Sequence, residues 1–263
     1  MSTVGEDPAA RRTLRVLTYN VHSCIGIDRS LSVERVTEVI ARARPDLVAL
    51  QELDLGRKRT NGLDQARRIA ELLTMDGHFF APLAIEEEQF GDAILSRWPI
   101  RLVRAERLPG LRGLPARLTP EPRGALWVEL DWAGTPLQCI NTHLGLRARE
   151  RWLQTQALLG PRWLGDERCR KPVILCGDLN AIASSRVCRK LSESLNDAQL
   201  SLYLHKPRRT FSSRYPLLRI DHVYTSADLV ACRVEVPTDA IARVASDHLP
   251  VIVDLELTSA TGG

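Results

Sequence analysis

The sequence is poor in aromatic side chains and contains no long apolar run. Phe, Trp and Tyr make up 5% of its 263 residues, so stacking platforms for single-stranded nucleic acid are few. No stretch approaches the roughly 18 consecutive apolar residues of a membrane-spanning helix. Residues 1–12 are polar and lack the apolar core of an export signal. We therefore expect no transmembrane segment and a cytoplasmic location.

The cysteines also lack a recognisable pattern. The six of them form no CxxC pair and no Cys/His spacing typical of a zinc site. Cys139 and Cys176 lie within apolar, strand-like runs, where a thiol acts as a small hydrophobic group. Without an export signal, free buried thiols are favoured over a disulfide framework.

Composition and charge indicate one ordinary globular domain. Hydrophobic residues make up 44% and charged residues 26% of the chain, and the net charge is +4. Such a mild excess of basic residues permits polyanionic partners without requiring them. No internal repeat or Ser/Gly-rich linker divides the chain. We predict a disordered lead-in over 1–12, a single domain over 13–258 and a flexible tail over 259–263.

Hydrophobic periodicity predicts an α/β (α+β) fold. Ser32 is placed to cap a helix that Pro45 ends, and short apolar strand-like runs follow one another along the chain. This mixture of adjacent strands with alternating helices predicts two mixed sheets packed face to face, with helices outside. The Pro- and Arg-rich stretch from Arg104 to Arg123 is predicted to be a long surface loop.

Polar residues interrupt the apolar runs at or just beyond the ends of predicted strands. Each of them alone has an ordinary explanation as a turn residue, a helix cap or a solvated acid. Together they bring several carboxylates, carboxamides and histidines to strand ends: Asn20, Glu52, Asn141, His143, Asp178, Asn180, Asp221, Asp247 and His248. Clustered carboxylates repel one another, and a divalent cation is the usual compensation. Oxygen ligands select Mg²⁺, with Mn²⁺ as a substitute, and leave the histidines for proton transfer and phosphate contact. This set predicts hydrolysis of a phosphoester.

Sequence blocks that carry these residues resemble those of the endonuclease/exonuclease/phosphatase superfamily. The blocks occur in family order and span nearly the whole chain: TYNVH (18–22), LQE (50–52), GDAILSRWP (91–99), NTHL (141–144), GDLN (177–180), RIDHVY (219–224) and SDHLPV (246–251). The most specific are GDLN and SDHLPV taken as a pair. The resemblance implies a four-layer αββα sandwich and a metal-dependent phosphoesterase.

The resemblance also implies roles for individual residues. Glu52 would be the main metal ligand, with Asn20 beside it and Asp247 as a second carboxylate on the metal side. Asp178 would orient or deprotonate the attacking water, and Asn180 would hold a non-bridging oxygen. His143 and His248 would act on the phosphate, and Asp221 would pair with His248. Whether Asp178 or His248 is the general base stays open.

Other residues near these blocks have two interpretations. Asp92 is either an acid close to the metal or the first residue of a strand. Arg123 is either a phosphate-binding residue or a surface arginine after a turn. Phe211 either lines the site or belongs to the core, and His222 is expected to be packing or surface.

The substrate is the least defined part of the prediction. Basic residues recur in loops: Arg57, Lys58, Arg59, Arg97, Arg101, Arg104, Arg107, Arg112, Arg117, Lys206, Arg208, Arg209 and Arg214. These cations favour a nuclease or phosphodiesterase acting on nucleic acid. The alternatives are a hydrolase of a phospholipid head group or a small phosphorylated metabolite, and a non-catalytic binding module of the same fold. A monomer is expected, although the sequence leaves the oligomeric state open.

Overall fold

The computed structural model describes residues 13–111 and 113–258. The predicted lead-in over 1–12, the predicted tail over 259–263 and Arg112 of the basic set lie outside the described residues. Within the described chain, no helix is long and apolar enough to cross a membrane.

The described chain forms two six-stranded mixed sheets. Its strands are β1 (Thr13–Asn20), β2 (Leu47–Leu55), β3 (Asp76–Ile85), β4 (Glu88–Ser96), β5 (Ile100–Arg107), β6 (Gly124–Trp132), β7 (Thr135–His143), β8 (Val173–Asp178), β9 (Asn196–Asp197), β10 (Asp221–Thr225), β11 (Leu229–Glu235) and β12 (Val251–Leu257). The first sheet has the order β11-β12-β1-β2-β4-β3, and the second has the order β5-β6-β7-β8-β10-β9. The pairs β1–β2 and β7–β8 are parallel, and the other pairs are antiparallel.

Helices cover the outer faces of both sheets. They are α1 (Val33–Ala43), α2 (Gln65–Leu73), α3 (Ala148–Leu158), α4 (Arg186–Leu191), α5 (Ala198–Ser201) and α6 (Ala240–Ala245). Val36, Ile40 and Ile69 bury the apolar faces of α1 and α2 in the core of the first sheet. On the second sheet, Trp127 packs in one buried cluster with Leu158 of α3. The predicted α/β sandwich of two mixed sheets with outer helices is confirmed.

Local sequence signals set the ends of α1 as predicted. The Ser32 side chain accepts a hydrogen bond from the Arg35 backbone N–H at 3.1 Å, which satisfies one of the free donors at the helix start. The helix ends at Ala43, Arg44 adopts a left-handed backbone conformation with φ 50°, and Pro45 follows. A proline cannot continue a helix, because it lacks a backbone N–H and clashes with the preceding turn.

The two sheets are joined by buried amides as well as by apolar packing. Asn141 of β7 donates from Nδ2 to the backbone oxygens of Leu50 and Ala93 at 2.8 and 2.9 Å. Gln51 donates in return to Asn141 Oδ1 at 2.7 Å. Buried polar groups carry a large penalty unless they are paired. These bonds therefore fix the register of one sheet against the other close to the strand ends.

Two expectations need adjustment. The long loop begins later than Arg104, because β5 pairs with β6 as far as Arg107, so the connection runs from Leu108 to Arg123. His222 is fully buried, so of its two expected placements the surface is wrong. The cysteines are free, as expected, and five of the six are buried.

Candidate active site

Strand register brings three of the predicted residues into one row. In the parallel pair β7–β8, His143 lies opposite Asp178. In the antiparallel pair β8–β10, Asp178 lies opposite Asp221. Gly177 permits this close approach: its φ is 135°, and an added Cβ would lie 1.9 Å from the Thr142 carbonyl oxygen. No larger residue fits immediately before Asp178.

Asp178 is the buried centre of the cluster. Its Oδ1 accepts the Asn180 backbone N–H at 2.8 Å, and its Oδ2 accepts from Asn20 Nδ2 at 3.1 Å. The same Oδ2 lies 3.4 Å from His143 Nε2 and 3.7 Å from His248 Nε2. Burial, reinforced by the charge of Asp221, raises the pKa of Asp178 to about 7. The carboxylate therefore holds a proton readily near neutral pH.

A bulge in β2 turns Glu52 towards this centre. The pairing of β2 with β4 shifts between Leu50 and Leu53, and Glu52 has a φ of 61°, which is unusual for a residue with a side chain. β-bulges are a common way to redirect a side chain into a site. Glu52 Oε1 then accepts a hydrogen bond from Asn20 Nδ2 at 2.9 Å, so Asn20 links the Glu52 and Asp178 carboxylates.

Asp92 lies behind Glu52 rather than in solvent. It is buried, and it accepts a hydrogen bond from the Glu52 backbone N–H. Burial raises its pKa to about 8, although the charge of Arg123 opposes this rise. Of the two interpretations left open, an acid close to the site fits this position. Its contact is with the bulged backbone of Glu52.

His248 and Asp221 form a hydrogen-bonded pair. His248 Nδ1 lies 2.9 Å and 3.1 Å from the two carboxylate oxygens of Asp221. Burial is the largest influence on the imidazole and lowers its pKa, but the charges of Asp221, Asp178 and Asp247 together raise it to about 10. The Phe211 ring packs against the imidazole, with ring centroids 4.9 Å apart. Phe211 therefore lines the site.

His143 lies on the other side of Asp178 and has a different environment. Arg123 Nη1 donates to His143 Nδ1 at 3.1 Å, and Asn180 Nδ2 lies 3.1 Å from Nε2. Burial first, and then the positive charge of Arg123, lower the pKa of His143 well below its ordinary value. The ring is therefore neutral at working pH. Arg123 contacts His143 and Glu121, so it acts on the site through the imidazole.

The donor set fits a hard divalent cation. Glu52 Oε1 and Asp178 Oδ2 both contact the same Asn20 nitrogen, and carboxylate oxygens are the ligands that Mg²⁺ prefers. Asn20 Oδ1 accepts from the His22 backbone N–H at 3.1 Å, so its oxygen is already engaged. Asp178, Asp221 and His248 also offer ligand atoms within 4.8 Å of one another. In that group, however, His248 Nδ1 is bonded to Asp221.

Asp247 lies at the margin of this network, where its Oδ1 accepts from Ser246 Oγ at 3.4 Å. Its side chain is partly exposed, 3.9 Å from His22 Nδ1, and among the described residues it makes no hydrogen bond to Glu52 or Asp178. The preceding residue, Ser246, connects the segment to the site: its Oγ donates to the Asn20 carbonyl at 2.8 Å and accepts from the His248 backbone N–H at 3.2 Å. The sequence reasoning did not single out Ser246, although it belongs to the SDHLPV block.

A second buried network lies behind β10. His222 Nε2 donates to the Ala181 carbonyl at 2.8 Å, and Nδ1 faces Asp197 at 3.3 Å. Arg219 donates to the same carboxylate at 2.9 Å. Sequence reasoning missed Asp197 and Arg219, because their separation along the chain gives no periodic signal. The alternation of side chains along β10 was the only available indication for His222.

The fold and these groups together define a class of protein: an α/β sandwich with a carboxylate–histidine centre at one edge of its paired sheets. The chain belongs to the Endonuclease/Exonuclease/phosphatase family, whose family model matches residues 17–248. Members of this family are generally phosphoesterase hydrolases, and they commonly use divalent metals.

Individual relatives resemble the chain over nearly its whole length. The uncharacterised protein YbhP of Escherichia coli K12 is 25% identical over 267 aligned residues, which cover 95% of this chain and 99% of YbhP. A solved endonuclease/exonuclease/phosphatase structure from Beutenbergia cavernae is 24% identical, with a TM-score of 0.72 and coverage of 95% and 73% of the two chains. A mannosyl-6-phosphatase of Bacteroides thetaiotaomicron is 20% identical, with a TM-score of 0.71 and coverage of 92% and 99%. The similarity to these solved structures establishes the fold of the chain.

Proposed function

We propose that the protein is a divalent-metal-dependent phosphodiester hydrolase. One observation carries the proposal: the buried Asp178 carboxylate lies between two imidazoles and one carboxamide, with Asp221 fixing the second imidazole. A carboxylate beside a histidine of raised pKa supplies a base and an acid in one site, which hydrolysis of an ester requires. The exposed part of Glu52 provides the anionic contact for a cation.

The metal would be held mainly by Glu52, with Asp247 as the second carboxylate and Asn20 orienting the set. When bound, Mg²⁺ or Mn²⁺ supplies positive charge that polarises a phosphoryl oxygen. Asn20 already donates to both Glu52 and Asp178, so it keeps the two carboxylates in a fixed relation. Replacing Glu52 by Gln should weaken Mg²⁺ binding in calorimetry at least about tenfold while leaving thermal stability nearly unchanged. Unchanged affinity would remove Glu52 from the ligand set.

The remaining residues orient water and phosphate. Asp178 would orient or deprotonate the attacking water, and Asn180 would hold a non-bridging oxygen. His248, paired with Asp221, would contact the phosphate and exchange a proton with it. His143 is neutral, so it would serve as a hydrogen-bonding partner of that phosphate, positioned by Arg123.

Nucleic acid is the first candidate substrate, as the basic loops predict. Several of those cations, however, are already neutralised in the structure: Arg59 pairs with Asp54 at 2.7 Å, Arg101 with Glu129 at 2.7 Å, and Arg104 with Asp166 at 3.3 Å. The second candidate is a phospholipid head group. The specific observation in its favour is an unpaired, cationic and apolar surface next to His248, which is described below.

A substrate panel tests the proposal. Purified protein is assayed with Mg²⁺ and with EDTA on a generic phosphodiester, plasmid DNA, short single strands, phospholipid vesicles and inositol phosphates. We expect metal-dependent turnover of at least one diester, and loss of that turnover in Asp178→Asn and His248→Ala. The matched control is Asp64→Asn, which changes the partly exposed carboxylate that caps α2.

Two outcomes would contradict the proposal, and two others would distinguish the substrates. Absence of turnover on every diester in Mg²⁺ would favour the non-catalytic binding module. Full turnover in both site variants would show that the catalytic residues lie elsewhere. Strong salt inhibition confined to DNA would support nucleic acid, because phosphate-backbone binding depends steeply on salt, whereas turnover of vesicles alone would support the lipid substrate.

A further inference from the structure

The connection between β9 and β10 has an unusual composition. No acidic residue occurs between Asp197 and Asp221. Its exposed cations are Lys206, Arg208, Arg209 and Arg214. Among the described residues, none of these four side chains pairs with a carboxylate, in contrast to Arg59 and Arg101. We call residues 200–218 the docking segment.

The docking segment also exposes large apolar side chains. Tyr203 is 86% exposed, Leu204 84%, Leu217 69% and Tyr215 68%. Leu200 and Leu218 are exposed as well. Leaving such groups in water is unfavourable in proportion to the apolar area exposed. Six large apolar side chains exposed within 19 residues of chain are a concentration that suits a contact surface.

The second half of the docking segment lies next to the catalytic centre. Residues 211–218 form a short loop closed at its base, where the Leu218 backbone N–H donates to the Phe211 carbonyl at 2.8 Å. At this base Phe211 packs on His248, and the Ser213 backbone N–H donates to the Asp247 carbonyl at 2.7 Å. Tyr215 and Leu217 are therefore carried on a loop whose base is anchored to the site.

Helix α6 connects the two halves of the segment. Leu204 and Arg208 line a cavity of about 580 Å³ together with Pro237 and Asp239, next to the start of α6. Arg243 of the same helix donates to the Arg214 carbonyl at 2.6 Å. Cations and apolar groups thus flank one helix. Leu146 and Ile182, in the loops that follow β7 and β8 at the catalytic edge, are exposed too.

We propose that the docking segment binds an anionic phospholipid surface and holds the catalytic edge of the protein against it. The cations match the negative charge of such a surface, where each Lys or Arg near the membrane adds favourable binding energy. Tyrosine side chains suit the boundary between head groups and acyl chains. The four exposed leucines decide against nucleic acid, because cations and tyrosines would serve a nucleic-acid strand whereas leucines have no partner there.

Vesicle flotation of the full chain, in EDTA, tests the proposal without any turnover. We expect binding to vesicles of phosphatidylcholine with phosphatidylglycerol, and weak binding to phosphatidylcholine alone. The double variant Tyr215→Ser/Leu217→Ser should lower the partition coefficient at least about tenfold, since two apolar side chains no longer enter the interface. Arg214→Gln should lower it about fivefold.

Matched controls separate the docking segment from the rest of the surface. Ile85→Ser removes an equally exposed apolar side chain from the β3–β4 hairpin, at the opposite edge of the first sheet from β11. Arg67→Gln removes an exposed arginine from α2. Both controls should bind vesicles as the wild type does, and all variants should keep the wild-type melting temperature.

Two results would overturn the proposal. The first is equal or absent binding to the two vesicle types. The second is a wild-type chain that binds DNA but not vesicles, with DNA binding lost only in the docking-segment variants. The segment would then be a nucleic-acid surface. Because binding is measured in EDTA, neither result bears on the proposed hydrolysis, and an inactive protein that binds vesicles would still support docking.

Discussion

Two carboxylate–histidine pairs lie on opposite faces of β10. They differ in the partner of the imidazole nitrogen that does not contact the carboxylate. Asp221 holds His248 at 2.9 Å, and Asp197 holds His222 at 3.3 Å. Both imidazoles have a pKa raised to about 10, since the hydrogen bonds and charges around each outweigh the opposite effect of burial. In His222, however, Nε2 is occupied by the Ala181 carbonyl at 2.8 Å. In His248 it faces Asp178 at 3.7 Å.

This difference separates a reactive pair from a structural one. A ring nitrogen that already donates to a backbone carbonyl has no capacity left for a substrate, whereas one that faces a site can transfer a proton. His222 joins β10 to the backbone that follows Asn180, so its contribution is to hold the wall of the site. A carboxylate–histidine pair therefore indicates a catalytic role only when the imidazole nitrogen that faces away from the carboxylate has no backbone partner.

The largest expected effect distinguishes the two histidines by activity. His248→Gln should lower turnover of the diester by about 10²–10⁴-fold, because it removes a proton-transferring group. His222→Gln should keep turnover within a few-fold of the wild type per folded molecule. Initial rates with Mg²⁺, normalised to the folded fraction, provide the measurement. Equal losses in both variants would mean that the two pairs do not differ in the way described.

The second effect concerns stability and falls on the structural pair. His222→Gln should lower the free energy of unfolding by about 3 kcal/mol, because it breaks a buried charge network and removes one of the two cationic partners of Asp197. Urea denaturation monitored by circular dichroism measures the loss. Cys188→Ala is the matched control: its thiol lies 3.8 Å from His222 Nε2, but its removal leaves the ion pair intact. An equal loss in the control would assign the effect to packing.

Much of the candidate site could be predicted, because its residues end apolar strands. Asp178 follows a run of buried residues, and the parallel pairs bring such ends to one edge of a sheet. The register that sets His143 opposite Asp178 was not predictable, since it depends on pairing between strands far apart in sequence. The bulge at Glu52 was equally hidden, because no glycine or proline marks it.

Other features depend on tertiary contacts that leave no local pattern. Asp197 lies 25 residues before its partner His222, in a two-residue strand too short to show periodicity. Asn141 was recognised as a polar interruption, but its bonds to the opposite sheet follow only from the packing of the two sheets. The charges of the loops were visible in the sequence, whereas their pairing with carboxylates was not.

A third prediction tests the reactive side through the metal. Mg²⁺ should raise the melting temperature more at about pH 8 than at about pH 5, because Asp178, with a pKa of about 7, is protonated at the lower pH and ionised at the higher one. At a metal concentration 100 times the Kd, the stabilisation is about 2.7 kcal/mol. Thermal melts in Mg²⁺ and in EDTA give the difference. Asp178→Asn should reduce this pH dependence to the part that comes from Asp92, whose pKa is about 8, and an equal gain at both pH values in the wild type would contradict the coupling.

The smallest effect distinguishes the two pairs by proton linkage. An imidazole whose folded pKa is raised to about 10 stabilises the fold fully below its ordinary value of about 6.5, and this contribution is lost as the pH rises through 10. The wild type has two such groups and His222→Gln has one. Between about pH 7 and pH 9 the unfolding free energy of the wild type should therefore fall more steeply, by up to about 1.4 kcal/mol per pH unit. Asp197, whose pKa is lowered, changes its charge only at acidic pH, so it does not affect the slope between about pH 7 and pH 9. Parallel slopes in urea titrations of the two proteins would show that His222 carries no charge in the folded state, and its role would then be that of a neutral hydrogen-bonding side chain.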